Sequence, residues 1–139
     1  MKIILKESNK YILRFNKGEE FIESLIDFCA EQKIEAGYFL GLGAAGEVEL
    51  SWYDIDEKKY SDKVFGEKME IASMSGNIAK MGEKTIIHVH GVFSDEEMNA
   101  KAGHIKKMVV AATCEIIVWV LDGKIEREYS EEIGLNLMK

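Results

Sequence analysis

The chain has 139 residues, 47% of them hydrophobic, a formal net charge of −7 and no proline. That length suits one domain, and that apolar share suits a core that needs no disulfides. The charge argues against a sequence-independent grip on nucleic acid, which needs a basic footprint to displace counterions from phosphates.

Hydropathy period and turn residues place the elements in order. Lys2–Leu5 and Tyr11–Phe15 form a hairpin around Lys6-Glu7-Ser8-Asn9. Glu19–Lys33 follows as an amphipathic helix: Phe21, Leu25 and Phe28 make one apolar row, and Ile22, Ile26 and Cys29 the adjacent one. The period then shortens to two. Tyr38–Leu42 runs into Gly41-Leu42-Gly43-Ala44-Ala45-Gly46, and Val48, Leu50 and Trp52 alternate with polar residues as a half-buried strand does. Asp56-Glu57-Lys58-Lys59 makes a turn. Met69–Met81 supplies one or two strands broken at Gly76-Asn77, and Gly82-Glu83 turns into an apolar run from Thr85 to Phe93. Ser94-Asp95-Glu96-Glu97 fits a capping box, which predicts a short helix through Asn99 or Ala100. Thr113–Leu121 reads as a central strand. Asp122-Gly123 is a hairpin signal that sends Ile125–Tyr129 back to pair with it. The expected fold is α+β: a mainly antiparallel sheet with one long and one short helix, in a single domain spanning residues 1–139.

All three histidines fall between residues 88 and 104. His88 and His90 flank Val89 in the Thr85–Phe93 run, and residues two apart on a strand share a face. The short helix, with Gly103 freeing the backbone, is expected to return His104 to them. Three imidazoles with an open position make a site for zinc or another divalent transition metal. Glu70 and Glu115 lie in apolar segments and are candidate acid/base or orienting groups.

Other motifs carry less. Gly41-Leu42-Gly43-Ala44-Ala45-Gly46 matches a dinucleotide fingerprint literally, but a strand follows it where that fingerprint needs a helix, so tight packing or a bulge is the better reading. Cys29 and Cys114 form no spaced motif and read as reduced, buried thiols of a cytoplasmic protein. No apolar run reaches spanning length, and the early charges of Met1–Glu7 do not suit a signal peptide, so no membrane association is expected.

Taken in order, several of these pieces resemble the plants-and-prokaryotes-conserved domain, also called PPC or DUF296. They include Tyr11-Ile12-Leu13-Arg14, Gly41-Leu42-Gly43, Met69–Ile78, Ile87-His88-Val89-His90-Gly91, Ala102-Gly103-His104-Ile105, Ala112–Val118 and Glu126-Arg127-Glu128-Tyr129. Family members usually have Gly-Gly-His at the third histidine; here Ala102 replaces the first glycine. The resemblance implies a homotrimer that binds metal, zinc foremost, through His88, His90 and His104; the open position of such a site suits holding or transforming a small-molecule ligand. The alternative is a non-enzymatic protein-interaction module. Direct DNA binding is a weaker third: in plants it accompanies AT-hook segments with an Arg-Gly-Arg-Pro core, which these residues lack.

Overall fold

A computed structural model describes all 139 residues. The elements are β1 (Lys2–Glu7), β2 (Lys10–Asn16), α1 (Phe21–Gln32), β3 (Gly37–Asp54), β4 (Lys59–Phe65), β5 (Met69–Met81), β6 (Lys84–Ser94), β7 (Ala100–Val120), β8 (Arg127–Ser130) and β9 (Leu135–Met138). The pairings of the main sheet are all antiparallel, in the order β1-β2-β7-β6-β5-β3-β4. β3 also pairs with β7, so β7, β6, β5 and β3 close on themselves. β8 and β9 form a separate hairpin.

The single helix starts at Phe21, the head of its apolar rows, two residues later than the expected Glu19. Glu20 caps it, accepting from the Glu23 amide at 2.6 Å, while Glu19 turns away to bind the Asn16 amide at 2.7 Å and the chain's amino terminus. Lys33 ends it in the left-handed conformation. Phe21, Leu25, Phe28 and Cys29 are buried against the sheet. Phe21 lies between Phe15, at 4.8 Å between ring centroids, and Phe39, at 5.9 Å.

The glycine-rich segment lies inside β3 as extended strand, with irregular register from Gly41 to Glu47. Gly43 has φ +148°, and a Cβ there would come within 2.7 Å of the Cys114 Cα. This glycine serves close strand packing, as expected, and no helix follows it to cradle a phosphate.

Three expectations are corrected. The capping-box segment is a hairpin loop, not a helix. Asp95, rather than Ser94, supplies the capping oxygen: its Oδ1 accepts from the Glu97 amide at 3.1 Å and the Asn99 amide at 2.9 Å. Met98 adopts φ +65° and stands 80% exposed, so the segment has no apolar face to bury as a helix would. Ile125–Tyr129 does not pair back on β7. Both edges of β7 are already taken there by β2 and β3, so Arg127–Ser130 pairs with Leu135–Met138 instead. β5 runs unbroken through Gly76-Asn77 because both neighbours hold it, Gly76 opposite Phe39 and Val89.

Candidate metal centre

The strand period places the first two histidines as predicted. His88 and His90 project from one face of β6, with ring centroids 5.1 Å apart and Nε2 atoms 3.3 Å apart. His104 reaches them by register alone. The loop Asp95–Asn99 returns the chain as β7, directly opposite β6, and His104 is the cross-strand partner of His90. It is also the cross-strand partner of Ser51. The cluster therefore sits on the seam where β7 leaves β6 for β3. Its ring lies 5.2 Å from His88 and 5.4 Å from His90.

Gly103 does not take the unusual backbone conformation expected of it. Its role is clearance: a Cβ would stand 3.0 Å from the Ser51 carbonyl oxygen.

One nitrogen from each histidine lies within 4.8 Å of the others. Two imidazoles on a tetrahedral zinc, with Zn–N of roughly 2.05 Å, hold their nitrogens about 3.3 Å apart. The His88–His90 separation of 3.3 Å has that value. His104 Nδ1 is buried without a partner, an unmet polar atom of the kind a ligand or ion satisfies. Burial, then the charges of Arg127 and His90, lowers the His88 pKa from its ordinary value. Burial, then His88 and His90, lowers that of His104 to about 4. Both rings are therefore neutral at pH 7, the form that ligates. The donor set fits a divalent transition metal.

A cavity of about 350 Å³ opens beside the cluster. His88 and His104 form part of its wall, Ile86 and Ile87 of β6 and Tyr60 of β4 another part, and Arg127, Tyr129, Gly134, Leu135, Asn136 and Leu137 of the β8–β9 hairpin segment the rest. Tyr60 lies 5.7 Å from the His104 ring. The Arg127 guanidinium donates to the Asn136 carbonyl at 2.7 Å and to Asn77 Oδ1 at 2.9 Å, and meets His88 Nδ1 at 3.3 Å. Its Nε is buried without a partner, and burial lowers its pKa. Arg127, Tyr60 and Asn77 escaped the reading of site chemistry from sequence. The available signal was that the chain has only two arginines, Arg14 and Arg127.

Glu70 and Glu115 do not line this cavity. Both are exposed, Glu70 opposite Ser94 and Ala44, and Glu115 beside Thr113, whose hydroxyl donates to it at 3.3 Å. Cys29 and Cys114 are free thiols buried in the core, where desolvation pushes both up to about 12, and neither belongs to the histidine cluster. No helix is long and apolar enough to cross a membrane.

A protein from Archaeoglobus fulgidus described as metal-containing is 28% identical, with a TM-score of 0.90 over 100% of this chain and 99% of that one. A candidate DNA-binding protein from Bacteroides thetaiotaomicron is 35% identical, with a TM-score of 0.93 over 97% of this chain and 94% of that one. A plant- and prokaryote-conserved protein from Pyrococcus horikoshii is 25% identical, with a TM-score of 0.87 over 94% of this chain and 90% of that one. No curated protein matches the chain. The model of the Plants and Prokaryotes Conserved (PCC) domain matches residues 4–122, and the chain belongs to that family.

Proposed function

We propose that this protein holds one divalent transition metal, zinc before others, on His88, His90 and His104, and presents its open position to a small ligand. The observation that carries the reading is the convergence of three imidazoles beside a cavity, with a nitrogen spacing that suits tetrahedral coordination. The metal-containing description of the Archaeoglobus fulgidus relative agrees with it. When bound, the metal supplies a Lewis acid for a ligand oxygen or an activated water. His88, His90 and His104 would hold it, Tyr129 and Leu137 of the hairpin line the cavity beside it, and Arg127 donates there to Asn77 Oδ1 and to the Asn136 carbonyl. Glu70 and Glu115 stand outside that geometry, so the acid/base role considered for them has no support from position.

We also propose a homotrimer acting in the cytoplasm, with residues 1–139 working as one unit. Met69, Ile71, Met74 and Val110 are buried in the core and offer no surface for that assembly. Better support comes from the open face of the sheet, where Tyr38, Leu40, Leu42 and Ile117 stand 40–58% exposed.

The second reading, a module that recruits other proteins around a sealed metal, is disfavoured by the cavity at the histidines. DNA binding, which the description of the Bacteroides thetaiotaomicron relative suggests, is disfavoured by the charge of −7. Cobalt(II) substitution tests the open site. The visible spectrum of the loaded protein is expected to shift when azide is added, as an exchangeable ligand position requires. A tetrahedral spectrum indifferent to azide points to a sealed metal.

A further inference from the structure

The cavity beside the histidines is selective in charge. Among 25 acidic residues in the chain, none lines it, and its one formal charge is Arg127. That guanidinium is partly buried, and all its contacts are neutral: a carbonyl, an amide oxygen and an imidazole nitrogen. A partly buried cation without a counter-ion is costly to keep. Three neutral imidazoles leave the full double charge of a divalent metal uncompensated, so metal and arginine together place about three positive charges on one small cavity.

We propose that the ligand of this cavity is a small organic carboxylate, which meets the metal and Arg127 together and offsets part of their charge. The proposal rests on the metal reading above and names its ligand class. A carboxylate suits the cavity better than a phosphate dianion. Ile86, Leu135 and Leu137 offer an apolar wall for a short hydrocarbon body, which an organic carboxylate carries and inorganic phosphate does not. A volume of about 350 Å³ is at the small end for ligand sites. Arg127, Leu135 and Leu137 all belong to the β8–β9 hairpin, which lies beyond the family match at residues 4–122.

Calorimetric titration of the zinc-loaded protein with butyrate, butyramide and inorganic phosphate tests this, with zinc content measured on each sample. Butyrate is expected to bind saturably, and butyramide and phosphate at least about tenfold more weakly. Arg127→Gln should weaken butyrate about tenfold, leave butyramide unchanged and keep one zinc per chain. Arg127→Lys, which keeps the charge, should recover part of the affinity and stands in if the glutamine variant misfolds. Equal binding of butyrate and butyramide, tighter binding of phosphate, or unchanged butyrate affinity in Arg127→Gln overturns the carboxylate assignment while the metal reading stands. Wild type without stoichiometric zinc overturns both.

Discussion

The metal-free protein should lose stability between neutral pH and pH 4, and His104 is the residue responsible for a defined share of the loss. Burial and two neighbouring histidines lower its pKa from 6.5 to about 4 in the folded chain. Between those values the unfolded chain binds a proton that the folded chain refuses, so stability rises with pH there and falls as pH drops. The contribution is complete above about pH 6.5 and gone below about pH 4. Fully realised, the gap corresponds to about 3 kcal/mol at roughly 1.36 kcal/mol per pH unit. The ring is partly open to water, so about 1–2 kcal/mol is the expected share. Urea denaturation after chelator treatment measures it. With a slope near 1.5 kcal/mol per molar, the wild-type midpoint should fall by roughly 1 M more than that of His104→Gln between pH 7.5 and 4.5. Comparing the two proteins removes the shared loss from carboxylates such as Asp62 and Asp95, which hydrogen bonds with Lys106 and Lys101 hold below their ordinary range. Midpoints that fall equally in both proteins refute the reasoning about His104.

Other outcomes follow from the same geometry. Gly43→Ala forces a side chain against the Thr113–Cys114 backbone at φ +148° and should cost at least about 3 kcal/mol, lowering Tm by roughly 10 °C in calorimetry. Light scattering coupled to size exclusion should give a mass near three times the 15.7 kDa chain, and a monomer across micromolar concentrations contradicts the proposed trimer. Gel-shift titration at about 150 mM salt should detect no sub-micromolar duplex-DNA complex; a complex that weakens steeply with salt contradicts this.

How much was legible in the sequence depended on the range of each interaction. The helix, the first hairpin, the glycine-rich strand and the shared face of His88 and His90 follow from local periodicity, and the structure has them. The path of His104 was misread because Ser94-Asp95-Glu96-Glu97 carries the same residue types for a helix cap as for a hairpin loop. What decides between them is whether the following residues find a strand edge, and Ala100–His104 finds β6. The same holds for Ile125–Tyr129: the Asp122-Gly123 turn is local, but occupation of β7 by β2 and β3 is not. Arg127 joins the site through Asn77, 50 positions away, and Glu70 and Glu115 leave it because alternation along β5 and β7 points them outward. The first fact has no local signature; the second is the local alternation Met69-Glu70-Ile71 and Cys114-Glu115-Ile116, apolar in and charged out.

The central claim is that His88, His90 and His104 bind one metal together. Elemental analysis of untagged wild type and His104→Ala, both purified with zinc supplied, tests it most directly, because His104 is remote in sequence and the variant leaves the His88–His90 strand in place. One zinc per chain in wild type and less than about a tenth of that in the variant is the expected result, since losing a ligand should exceed the roughly 10–100-fold effect of losing a supporting group. Equal stoichiometric zinc in both proteins, or none in either, contradicts the three-histidine site.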